Sequence, residues 1–222
     1  MLIQQDHGRK LRFYVSGILF IIIALMVWKS TLLPSTVDAA LQTLFTSNHA
    51  SGFMTFIMKF ISFIGSPKMT ILWTLVIAFL LWGFKFKVPA VWSVVTLFGA
   101  DVLGWIVKHI IQRARPSQHL ASDDGYSFPS GHVLGTFIVA AIILLILVPL
   151  IQNRLKRNLT IALTLIFVIL LAISRVYLYA HYPTDTIGAM LLAYTWVQVM
   201  EMAYVKYAPT LQHWNFTHNS RI

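Results

Sequence analysis

The chain contains no cysteine. That absence removes disulfides, thiolate metal sites and a cysteine nucleophile together. Charge is almost as scarce. Asp, Glu, Lys and Arg make up 11% of the 222 residues, where a soluble globular domain carries about 25%. Only 7 residues are acidic. This composition excludes both a water-soluble enzyme and a disordered tail. The sequence also lacks internal repeats, low-complexity tracts and any Pro/Gly-rich linker long enough to divide it. Residues 1–222 are therefore expected to form a single membrane domain.

What the chain has instead is apolar mass. Hydrophobic residues account for 58% of it, and mean hydropathy is +0.74. Six apolar stretches, near residues 13–33, 69–84, 88–111, 129–151, 159–175 and 183–204, approach the ~20 residues that a membrane helix needs. The expected fold is all-α, an integral membrane bundle of six transmembrane helices. Residues 53–64 form a shorter run that carries Lys59. That length suits an interfacial or partly re-entrant extracytoplasmic segment. Val37-Asp38-Ala39 resembles a signal-peptidase site, but the preceding apolar run is too long for a signal peptide, so a retained first helix is expected.

The 17 Lys+Arg outnumber the 7 Asp+Glu and give a net charge of +10. On a soluble protein that surplus would suggest nucleic acid. In a membrane it orients the bundle. With the N-terminus inside, Arg9, Lys10, Arg12, Lys85, Lys87, Arg154, Lys156, Arg157, Lys206 and Arg221 are cytoplasmic, ten of the 17. The split predicts a multi-pass cell-membrane protein with both termini cytoplasmic, and no nucleic-acid partner. The pattern carries no signal for oligomeric state.

Three segments are too polar for their depth: Lys108–Pro116, Phe128–His132 and Ser174–Asp185. Cations and histidines at membrane helix ends are costly unless paired or functional. Lys108 and Arg115 are seven apart and share a helix face if that helix continues, whereas Arg113 points elsewhere. Pro129 suits the first turn of a helix, which would leave the amides of Ser130 and Gly131 facing outward as an anion site. Asp185, four residues after His181, can hold one imidazole nitrogen and leave the other free. Such a set can stabilise the oxygens of a transferring phosphoryl group. One histidine can attack phosphorus while a second protonates the leaving oxygen.

These segments resemble the signature of the type 2 phosphatidic acid phosphatase superfamily, K-x6-R-P, P-S-G-H and S-R-x5-H-x3-D, at all eleven fixed positions. The resemblance implies phosphate binding by Lys108, Arg115, Ser130, Gly131 and Arg175. It implies a phosphohistidine at His181, oriented by Asp185, and protonation of the leaving group by His132. No metal and no cofactor are implied. Similar bacterial membrane proteins act on phosphatidylglycerophosphate, phosphatidate or undecaprenyl diphosphate, so a lipid phosphate is the expected substrate, with the active site facing out of the cytoplasm. Two alternatives accompany this hydrolase: a lipid phosphotransferase using the same site, and a non-catalytic lipid-binding or transport protein.

Other polar residues take plainer readings. Lys29, Lys59, Lys68 and Arg113 are expected to be snorkelling anchors, and His7, His49, His109, His119, His213 and His218 to be structural. A metal held by His181 and Asp185 is the rival to the nucleophile, and the surrounding positive charge argues against it. Asp123 and Asp124 are expected in a solvated loop, Asp101 in a supporting position behind Lys108, and residues 35–64 at the outer lip of a lipid entrance.

Overall fold

The computed structural model describes residues 1–45, 51–117 and 124–222. His49, His119 and Asp123 lie outside the described residues. Among those described, every regular element is helical: α1 (Arg9–Trp28), α2 (Leu32–Phe45), α3 (Gly52–Ile64), α4 (Pro67–Gly83), α5 (Lys87–Ile111), α6 (Gly131–Ile142), α7 (Arg154–Tyr177) and α8 (Pro183–Leu211). Four segments are long and apolar enough to cross a membrane: α1, α5, α7 and Gly131–Leu150, which extends α6. A fifth arises if α3 and α4, bent by 49° at their junction, count as one span.

Local sequence sets the helix ends. Ser51 accepts the amide of Met54 to start α3, and Pro67 sits in the first turn of α4, where its missing N–H costs nothing. Asn153 caps α7 by accepting from the Lys156 amide. The extension of α6 widens into a π turn (Ile143–Leu147) and tightens into a 3-10 turn (Val148–Leu150). Pro149 explains the break, because it cannot donate to the preceding turn.

The expected sixth span, 183–204, is α8, the helix on which α1, α5 and α6 pack. It carries Asp185, Gln198, Glu201 and Lys206, and hydropathy alone does not place it among the membrane-crossing candidates. Its polarity is absorbed inside the bundle. Arg9 Nε donates to Glu201 Oε2 at 2.6 Å, Arg12 Nε to Gln198 Oε1 at 3.2 Å, and Thr195 Oγ1 to Ser16 Oγ at 2.8 Å. Arg9 is thus a buried structural cation. Close packing fills the rest. A Cβ on Gly99 would come within 2.4 Å of the Trp196 ring, and one on Gly188 within 2.5 Å of Phe128.

Residues 212–222 fold back on the α4–α5 turn, where Arg221 N donates to Lys85 O and Ser220 Oγ accepts from Val88 N. Arg9 and this tail therefore lie at the end of the bundle near Glu201. Asp185 begins α8 at the other end, sixteen residues earlier, or about 24 Å along the axis.

Candidate active site

The three polar segments meet at the end of the bundle where α5 finishes and α6 and α8 begin. Tyr182 is the N-cap of α8, and Pro183 occupies its first turn. Asp185 stands three residues on, so its Oδ2 accepts the Tyr182 amide at 2.9 Å. This N-terminal cap fixes the carboxylate before any contact with His181. Asp185 Oδ2 then lies 3.6 Å from His181 Nδ1. The other imidazole nitrogen, Nε2, is 3.3 Å from Arg115 Nη1. Asp185 is fully buried and His181 is 1% exposed.

Arg175, on the last turn of α7, is also 1% exposed. Its guanidinium donates to Ser62 of α3, and its carbonyl accepts the His181 amide at 3.3 Å. Arg115 spans the site through backbone carbonyls, donating to Gly125, Asp124 and Ala180 at 2.8–3.0 Å. Lys108 Nζ donates to the Tyr126 carbonyl at 2.7 Å. Asp101, two turns earlier on α5, is half-buried.

Ser130 is the N-cap of α6, followed by Gly131 and His132 in its first turn. The Ser130 amide donates to the Asp185 carbonyl at 3.2 Å, which ties α6 to α8. Its hydroxyl makes no capping bond and is buried with no partner among the described residues. A buried hydroxyl without an acceptor or donor is expensive unless a ligand completes it. Gly131 leaves open space, since a Cβ there would meet nothing within 4 Å. The first-turn amides of α6 have no intrahelical acceptors and suit an anion.

The structure corrects three expectations. Helix α5 stops at Ile111, and Gln112 turns out of it with φ 53°, so Arg115 does not continue the Lys108 face. Pro129 precedes the N-cap of α6 rather than entering its first turn, and the Ser130 amide is already bonded. Arg113 is no snorkelling anchor. Its Nη1 donates to Asp185 Oδ1 at 2.6 Å and to Thr184 Oγ1 at 2.8 Å, and its Nη2 donates to Asp38 Oδ2 at 2.5 Å. Burial opposes the charge on Arg113, and the carboxylates of Asp185 and Asp38 outweigh that effect, so its pKa lies above the ordinary arginine value.

Sequence reasoning thus missed Arg113, Asp38 and Ser62. Asp38 offered one signal, as one of only 7 acidic residues in the chain. The αL turn at Gln112 was not readable, because glycine or asparagine is the usual residue there.

The chain is 36% identical over 101 residues to phosphatidylglycerophosphatase B of Bacillus subtilis (strain 168). That match covers 43% of this chain and spans about half (49%) of the relative. The crystal structure of a transmembrane PAP2 type phosphatidylglycerolphosphate phosphatase from Bacillus subtilis superposes with a TM-score of 0.76. It covers 92% of this chain and 99% of that one at 18% identity. Aquifex aeolicus LpxE superposes at 0.58, over 75% of this chain and 94% of that one, also at 18% identity. Both structures share its fold. The PAP2 superfamily model matches residues 89–207, more than half of the sequence and every residue of the three motifs. The chain belongs to the PAP2 superfamily.

Proposed function

We propose that the protein is a lipid phosphate phosphatase that works through a phosphohistidine at His181. The observation that carries this reading is the pairing at that ring, with Asp185 toward Nδ1 and Arg115 beside Nε2. A phosphoryl group bound by Arg115 is held in front of Nε2, while Asp185 stabilises the positive charge that develops on the ring as Nε2 bonds to phosphorus. Arg175, Lys108, the first-turn amides at Gly131 and the unsatisfied Ser130 hydroxyl bind the remaining oxygens. His132, next in the same turn, protonates the departing oxygen. It then takes a proton from the water that hydrolyses the phosphoenzyme.

Cationic side chains fill the role that a metal would play, so activity is expected to survive EDTA. Loss on chelation, restored by zinc or manganese, would instead point to a metal at His181 and Asp185.

The lipid chain has a place to lie. An apolar cavity of about 360 Å³ between α4, α6 and α7 is lined by Ile64, Trp73, Thr136, Val139, Ala140 and Phe167. Ile64 is two residues from Ser62, the partner of Arg175. Ala140→Trp is expected to raise KM for a long-chain lipid phosphate about tenfold or more and to leave p-nitrophenyl phosphate unaffected. Equal effects on both substrates would remove the cavity from the substrate path. Phosphatidylglycerophosphate, phosphatidate and undecaprenyl diphosphate all present the required phosphate on an apolar chain, and assaying the purified protein against the three selects among them.

Six spans complete the reading, with α8 crossing inside the shell of α1, α5 and α6. The lysine- and arginine-rich end near Glu201 is then cytoplasmic, and the active site faces outward.

A further inference from the structure

Segment 32–64 precedes the matched region 89–207, and yet it touches the site twice, through Asp38 on α2 and Ser62 on α3. Asp38 is 3% exposed. Its Oδ1 accepts the Thr184 amide at 2.8 Å, and its Oδ2 accepts the Thr184 hydroxyl at 2.8 Å together with Arg113 Nη2. Arg113 also lies 4.0 Å over the Tyr182 ring. The result is a row of three charges at the first turn of α8, with Asp38 and Asp185 buried and Arg113 between them partly buried.

We propose that Asp38 and Arg113 are positioning residues that set the charge and orientation of the Asp185 carboxylate behind His181, so that α2 is a working part of the site. The proposal rests on the reading of His181 as the nucleophile. Arg113 alone would neutralise Asp185 and weaken its pull on the imidazole. The second carboxylate, from Asp38, returns the row to a net charge of −1. That net charge favours the positive ring formed when Nε2 bonds to phosphorus. The geometry works in the same direction. With Oδ1 held by Arg113 and Oδ2 by the Tyr182 amide, the carboxylate cannot rotate, and Oδ2 stays toward Nδ1.

Charged and titratable groups reach His181 from several elements. Arg115 comes from the loop after α5 and Asp185 from the start of α8, while Arg175 of α7 meets the His181 amide through its carbonyl and Tyr182 is the next residue in the chain. Arg113 and Asp38 form the next layer, and Lys108 of α5 and His132 of α6 complete the motif set. The Asp38–Arg113 pair is the one that can be altered without touching a group that meets the phosphoryl oxygens.

The test is the pH profile of kcat/KM with p-nitrophenyl phosphate, whose acid limb reports the proton on His181. Asp38→Asn takes the row from −1 to neutral. The acid limb is expected to move down by about one pH unit, with kcat about tenfold lower and KM within about twofold. Arg113→Gln acts in the opposite sense and moves the limb up. The double variant leaves Asp185 as the single charge and returns the limb toward wild type. A structural brace would instead lower folded yield and leave the limb in place for every variant, and that result overturns the proposal. If Asp38→Asn does not purify as folded protein, Arg113→Gln carries the test alone: an upward limb supports the proposal and an unmoved one overturns it. Trapping labelled phosphate on wild-type protein separates the two levels. Phosphate on His181 with unmoved limbs overturns only the positioning role, whereas no phosphate on His181 overturns this inference together with the reading beneath it.

Discussion

Replacing His181 with Ala is expected to abolish the phosphoenzyme and to lower kcat by about 10⁴-fold or more, with the fold intact. The expectation follows from the position of the ring. Its amide is bonded to the Arg175 carbonyl, Asp185 Oδ2 lies 3.6 Å from its Nδ1, and Arg115 Nη1 lies 3.3 Å from its Nε2. On the proposed reading, its removal deletes the bond-forming group itself rather than a contact. The surrounding cations would still bind phosphate, so KM should change far less than kcat. A His181→Ala enzyme that kept a tenth of its turnover would show that water attacks phosphorus directly.

The second large effect belongs to His132 and depends on the leaving group. With a lipid substrate the departing oxygen is a strongly basic alkoxide, and loss of the proton donor is expected to cost about 10²- to 10⁴-fold. With p-nitrophenyl phosphate the departing phenolate needs no proton, and the first step should be far less affected. The second step should still be slow, because the same residue activates water. His132→Ala is therefore expected to release a burst of p-nitrophenol and then stall with phosphate on His181. Equal loss with both leaving groups and no burst would remove His132 from proton transfer. The intact enzyme should show a bell-shaped pH profile, since His181 must be neutral while His132 is protonated.

The sequence was informative where local spacing carries the chemistry. His181 and Asp185 flank a helix start marked by Pro183, four residues apart in sequence, and Asp185 Oδ2 lies 3.6 Å from His181 Nδ1. Apolar runs located seven of the eight helices, with ends off by up to seven residues when α6 is counted with its extension to Leu150, because the composition of each run is a local property; α2 (Leu32–Phe45) was not read as a helix. What could not be read depended on contacts far apart in the chain or on exceptional backbone. Arg113 was assigned from the periodicity of a helix that ends one residue earlier than its αL neighbour Gln112. Asp38 is 146 positions from Thr184, and nothing near it in sequence names that partner. The polarity of α8 made it the least membrane-like of the long helices, although Glu201 is paired with Arg9 and Gln198 is bonded by Arg12 of α1.

Proximity of this kind has a mechanistic consequence. On the proposed reading, Arg115 beside Nε2 favours a dianionic phosphate in front of the ring. Asp185, with Arg113 and Asp38 behind it, then supplies the countercharge as the ring becomes positive. On the same reading, the buried Ser130 hydroxyl, which has no partner among the described residues, would bond a phosphoryl oxygen.

The most direct measurement is to identify the atom that carries phosphate during turnover. Purified protein in detergent is mixed with labelled p-nitrophenyl phosphate, using both wild type and His132→Ala, and is quenched in alkali, which preserves phosphohistidine. The labelled peptide is then sequenced by mass spectrometry. The account predicts one phosphate per chain on Nε2 of His181, accumulating in His132→Ala and absent from His181→Ala. Phosphate on His132, or turnover with no covalent label in either protein, would contradict it.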